Sequence, residues 1–195
     1  MINRYPLKNF PMVGVCGLDC GLCPRFHTDG KVKCPGCCGM DFYDRHPSCS
    51  LVNCAVRQKG IESCALCSDL QECPKIFQVI EASHERDTHI SYKPITANIA
   101  SIQKYGISGF ARRQLEKQQL LLRLLDNYDD GRSKLFYCTA CQLIPVAELS
   151  EAIQHAEARV SHDADIKEKS KLMRGTINRL ADAVQIDLKL RNKTV

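Results

Sequence analysis

Eleven of the chain's 13 cysteines fall between Cys16 and Cys73, and that cluster limits what the sequence can fold into more than any other feature. The order is Cys16-x3-Cys20-x2-Cys23-x10-Cys34-x2-Cys37-Cys38, then Cys49-x4-Cys54-x9-Cys64-x2-Cys67-x5-Cys73. Three of these steps are CxxC turns, in which two sulfurs can converge on one ion at about 2.3 Å while a second turn completes a tetrahedron. Cys20, Cys23, Cys34 and Cys37 form the simplest such set. Cys64 and Cys67 would close a second set with two of Cys49, Cys54 and Cys73. Cys16, Cys38 and the remaining cysteine are then left for a third site or for none.

Residues 1–11 lack the apolar run of a secretory signal, and no later stretch reaches the roughly 18 apolar residues of a membrane span. The expectation is a cytoplasmic protein with no membrane partner. In a reducing compartment dense thiol pairs read as metal ligands rather than as disulfides. Isolated buried cysteines pack as small hydrophobes, but paired spacing at this density speaks against that reading. Two or three Zn²⁺ ions are expected, with [4Fe-4S] clusters as the alternative, because four cysteines serve either. His27 or His46 can replace a sulfur, although the surplus of cysteines makes this unnecessary. His84, His89, His155 and His162 have no ligand spacing such as HExxH and read as surface residues.

Large apolar residues are sparse between Cys16 and Cys73, so a core built from that segment alone would be small. Metal can supply the difference, since structural zinc contributes on the order of 10–16 kcal/mol that is folding energy in such modules. The formal charge of +5 counts every thiol as neutral. Twelve thiolates on three zinc ions would take it to about −1, because ligating thiols are deprotonated. The basic balance therefore carries no argument for nucleic acid, and neither finger spacing with paired histidines nor a basic aromatic stripe is present.

The remainder reads as helical. The fold class expected is mainly α: a small irregular, metal-stabilised cysteine-rich module over residues 1–82, then a helical domain over residues 83–195 containing an antiparallel helix hairpin. Pro74 can open a helix that gives way to a linker at residues 83–88. Pro94 opens a second, which stops at Gly106, and Ser108 caps a long third whose Leu115, Leu121, Leu122, Leu125 and Tyr128 lie near one face. Val146, Leu149, Ile153, Ala156 and Val160 form one apolar seam. Ile166, Ser170, Met173, Ile177, Leu180 and Val184 form its partner across residues 162–165. Ile186, Leu188 and Leu190 alternate as a terminal strand would.

Between these helices lies Asn127-Tyr-Asp-Asp-Gly-Arg-Ser-Lys134. One reading is an inter-helix turn in which Gly131 closes one helix and Ser133 caps the next. The functional reading is an anion site, with Asp130, Arg132, Ser133 and Lys134 gathered at a helix N-terminus for a small anionic ligand. Cys138 and Cys141 share a helix face and either pack or hold a metal.

Cys16-Gly-Leu-Asp-Cys20-Gly-Leu-Cys23-Pro24, Lys33-Cys34-Pro-Gly-Cys37, Cys64-Ala-Leu-Cys67 and Cys73-Pro74 together resemble the family named domain of unknown function 3795, over about residues 13–80. Its longer members are similar around residues 127–138, where Asp-Gly-Arg-Ser-Lys and Phe-Tyr-Cys recur. The resemblance implies a prokaryotic zinc-binding protein without an established activity, and it transfers no catalytic residue. Cys38 and Cys141 depart from that pattern. Cys16-x3-Cys20-x2-Cys23 also matches the cluster motif of radical S-adenosylmethionine enzymes, but their barrel of alternating strands and helices conflicts with the helical pattern after Cys73.

The expected role is a metal-binding protein, structural or regulatory, that presents its helical domain to an unknown protein or small anionic ligand. The alternative is an iron-sulfur electron carrier of anaerobic metabolism. An enzyme is the weaker expectation, since no histidine and carboxylate set of hydrolytic zinc stands out. The metal candidates are Cys16, Cys20, Cys23, Cys34, Cys37, Cys49, Cys54, Cys64, Cys67 and Cys73.

Overall fold

Glycine and proline interrupt the first seventy residues so often that short backbone turns, rather than long helices, organise them. The computed structural model describes residues 6–161 and 163–191, and among these it holds seven α-helices and no strand. Two CxxC steps are single 3-10 turns, Cys20–Leu22 and Cys64–Leu66. In each, the second cysteine's N–H closes on the first one's carbonyl, Cys23 on Cys20 at 3.1 Å and Cys67 on Cys64 at 3.0 Å. Helix α1 is Phe42–Arg45, and α2, Ser50–Val52, widens directly into a π-helical turn, Asn53–Gln58.

Helix α3, Pro74–Glu85, starts with proline in its first turn as expected, but it runs through Ser83 and shortens the expected linker. Helix α4, Ile95–Tyr128, is broken at Gly106, whose φ of 71° and ψ of 167° lie outside the helical region. A side chain there would be strained, which is why the expected stop falls on that glycine.

The described residues form two compact units. One comprises the residues up to Gln114 together with Leu190 and Arg191, and the other is Leu115–Lys189. The division thus lies within α4 and not at the expected boundary of residues 82 and 83. Packing gives the reason. Val13, Val15, Phe42, Leu51 and Val52 from the cysteine-rich stretch share one buried cluster with Ile76 of α3 and Ile95, Ile99, Ile102 and Phe110 of α4. The expectation that metal must make good a missing core is corrected accordingly, since two helices supply much of it. Asn98 fastens α4 to the first cysteine loop, donating to Gly17 O at 2.9 Å and to the buried Asp19 Oδ2 at 3.1 Å.

The second unit adds α5, Lys134–Leu143, α6, Val146–Glu157, and α7, Ile166–Ala183. Helices α6 and α7 pair as the expected hairpin, burying Leu149, Ile153 and Ala156 against Ser170, Met173 and Ile177. Each fully buried aliphatic side chain contributes about 1.5–3 kcal/mol. Asp165 and Glu168 form a reciprocal capping box at the start of α7. The face expected of α4 is off by one step: Leu121, Leu124 and Tyr128 are buried, whereas Leu115 and Leu122 are nearly half exposed. Successive residues turn by about 100°, so Leu122 stands beside the stripe rather than on it. No strand forms at Ile186, Leu188 and Leu190. A lone strand would leave its backbone groups without a ladder. His162, at the hairpin loop, lies outside the described residues.

Candidate metal centres

The cysteine loops of the first unit are stacked by backbone hydrogen bonds. Gly21 N donates to Met12 O at 2.9 Å, Cys37 N to Pro11 O at 2.7 Å and Cys34 N to Arg25 O at 2.8 Å. Gly36, between Cys34 and Cys37, has φ 83°, and a Cβ built there would meet Pro11 O at 2.4 Å. Only glycine lets these two segments approach so closely.

No group of three or more His, Cys, Asp or Glu side chains among the described residues converges to hold a single metal ion. The thiols stand instead around two cavities. One, of about 400 Å³, is lined by Cys54, Cys64, Cys67 and Cys73. The other, of about 250 Å³, is lined by Cys16, Cys20, Cys23, Cys34, Cys37 and Cys49, with Arg25, His46, His89 and Tyr92 on its wall. All ten cysteines singled out in the sequence therefore line one cavity or the other. The grouping is only partly the expected one: Cys54 and Cys73 join Cys64 and Cys67, while Cys49 joins the N-terminal set. Helix α2 with its π turn makes the division, because Cys49 precedes it and faces one cavity while Cys54, inside the widened turn, lines the other.

The electrostatics fit a cationic guest. Burial, followed by repulsion from Cys37 and Cys49, pushes the Cys16 thiol up to about 12. Burial and then Cys16, Cys73, Cys54 and Cys67 push Cys64 to about 12. Cys20 is raised by burial and by Cys37 and Cys16, and Cys23 chiefly by burial. These shifts describe thiols held neutral chiefly by burial and, after it, by one another's proximity. A bound metal reverses that preference, since a coordinating thiol is deprotonated outright. Cysteine sulfur is the most numerous donor in both cavities, beside Asp69 and Glu72 in one and His46 and His89 in the other, and thiolates suit zinc and iron-sulfur groups.

Two lysines that the spacing analysis did not single out supply positive charge. Lys59 donates to Cys67 Sγ at 3.2 Å and is held by a short ion pair with Asp69. Buried Lys8 donates to the Val13 carbonyl, and its charge favours the thiolates of Cys20, Cys37 and Cys38. Neither stands at a recognisable interval from its thiol; only the turn geometry brings them there. Cys38 lies outside both cavity walls, with its sulfur 3.6 Å from Tyr43 Oη. A hydrogen bond from Cys37, outweighing burial, lowers the Cys38 thiol to about 7.

The expected anion site has a different use. Asp129 Oδ1 accepts from the N–H groups of Gly131 and Ser133, both at 3.1 Å, and Asp130 Oδ1 accepts from Arg132 N at 3.1 Å and Ser133 Oγ at 2.7 Å. The chain's own carboxylates thus take the N–H groups of Gly131, Arg132 and Ser133, donors that an external anion would otherwise use. Ser133 is fully buried, and its hydroxyl also meets Ser170 at 2.9 Å rather than capping α5. Cys138 and Cys141 are buried on α5, with Cys141 pushed up to about 12 by burial. They belong to the second unit's core, apart from both cavities.

Compared with protein-family models, with curated proteins and with solved structures, the chain matches none.

Proposed function

We propose that this chain is a metal-binding protein whose first unit holds two metal groups on cysteine thiolates, that these are iron-sulfur clusters rather than single zinc ions, and that the protein carries electrons. One observation carries the reading: four thiols line a cavity of about 400 Å³ and six line one of about 250 Å³, while among the described residues no three ligand side chains converge on one point. One zinc would draw four sulfurs to about 2.3 Å from a single point, closer together than the described side chains stand. An iron-sulfur group spreads its cysteine ligands around an inorganic core and supplies one-electron chemistry when bound. The remaining wall supports the same reading, because charged lysines beside the thiols offset the negative charge of a sulfur-ligated centre. Membership of the family named domain of unknown function 3795, cytoplasmic residence and an electron-exchanging protein partner belong to this proposal. No helix among the described residues is long and apolar enough to cross a membrane.

Anaerobic purification followed by iron, sulfide and zinc analysis and a visible spectrum tests it. A brown protein with iron and acid-labile sulfide in comparable amounts is expected. A colourless, folded protein with two or three equivalents of zinc would overturn the cluster reading and restore structural zinc.

A further inference from the structure

The two thiol-lined cavities are neighbours within one unit, and very little chain stands between them. Leu51, buried on α2, lines both. Beside it the loops that carry a cysteine of each set are joined directly: Cys64 N donates to Val15 O at 2.8 Å, and Ser63 Oγ donates to the same carbonyl at 3.4 Å. Val15 immediately precedes Cys16, and Ser63 immediately precedes Cys64. A single hydrogen bond therefore connects the backbone of one cavity's cysteine to the residue next to the other cavity's cysteine. The step is shielded from solvent, for Val15, Leu51 and Ser63 are all buried, with Ser63 at 0% exposure.

We propose that the Val15-Cys16 and Ser63-Cys64 steps, with Leu51, form an electron bridge, so that the groups in the two cavities work as a coupled pair rather than as two independent supports. This rests on the iron-sulfur reading above. The step is a single electron transfer: the group in one cavity is oxidised by one electron, the group in the other is reduced by one, and no bond is made or broken. A low-potential one-electron reductant supplies the first electron; dithionite does so in the test.

The full chain is reconstituted anaerobically with ferrous iron and sulfide, reduced in steps with dithionite, and followed by electron paramagnetic resonance. Two magnetic centres in contact relax each other, so the microwave power for half-saturation should rise several-fold between the half-reduced and the fully reduced protein, and the lines should broaden. In C54A/C73A, which dismantles the larger cavity's set, the power should stay constant at every degree of reduction, with about half the iron bound. The wild-type measurement decides even where that variant loses both groups. Unchanged saturation across the titration, in a protein carrying iron and sulfide at both cavities, would overturn the bridge and leave the cluster reading standing. A protein that binds zinc and no iron or sulfide would overturn both.

Discussion

Lys59 sets up a small experiment in ligand chemistry. Its ammonium reaches Cys67 Sγ at 3.2 Å because Asp69 holds it from the other side, and the pairing with Asp69, then with Cys67, raises the lysine's own pKa. Reduction adds negative charge to a sulfur-ligated centre, so a donor at the sulfur favours the reduced state. Lys59→Gln should therefore lower the midpoint potential of that centre by about 60 mV, the tenfold step for one electron. Lys59→Arg should recover most of the shift, and a potentiometric titration reads both. A side chain that serves only to hold the turn would change the melting temperature and leave the potential where it was.

At the scale of elements, what could be read in advance followed from local rules. The α6–α7 hairpin, the proline start of α3 and the stop at Gly106 each rest on neighbours in sequence, and all three stand as expected. The assignment of cysteines to sites did not follow. Spacing left Cys49, Cys54 and Cys73 interchangeable, and only the placement of α2 and its π turn separates Cys49 from Cys54. A π turn is one residue wider than an α turn and has no dependable sequence signal. The Asp-Gly-Arg-Ser segment is open for a related reason: its residue types fit an anion site and a self-capped turn equally, and the turn's carboxylates take the N–H groups of Gly131, Arg132 and Ser133. The capping box of α7 is written in the sequence as Asp165-x-x-Glu168. Asp165→Ala should destabilise the second unit by about 1 kcal/mol, as loss of an N-cap does. Urea denaturation followed by the helical circular dichroism signal would show it as a lower midpoint with unchanged slope.

Two distant stretches of the first unit's chain are tied by a clasp between Asp87 and Arg191. Arg191 donates through Nε to Asp87 Oδ2 at 3.1 Å and through Nη2 to Oδ1 at 2.9 Å, and it also reaches the carbonyls of Ser83 and His84 at the end of α3. Asp87 Oδ1 accepts from Tyr92 N at 2.7 Å, which fixes a stretch of the six-cysteine cavity wall. Burial of Asp87 opposes ionisation, but the hydrogen bonds from Arg191 and Tyr92 outweigh it and hold the carboxyl at about 2. Because this folded pKa lies below the ordinary value of 3.8, the stabilisation is complete above about pH 4 and fades as the pH falls toward 2. It amounts to about 2 kcal/mol. Arg191→Gln should cost about 3 kcal/mol at neutral pH, because it leaves a buried carboxylate without its cation. The variant's stability should also fall less steeply between pH 4 and 2, which acid titration of the chemical denaturation midpoint would detect.

That clasp also sets an order of events during synthesis. The second unit is spliced into the first, so a ribosome releases every cysteine of both cavities, and then the whole helical insert, before Arg191 emerges to close the wall beside Tyr92. The whole of Leu115–Lys189 separates the last of these thiols from Arg191 along the chain. Synthesis therefore delivers the thiols of the six-cysteine cavity well before the residue that locks Asp87, and through it Tyr92, beside them.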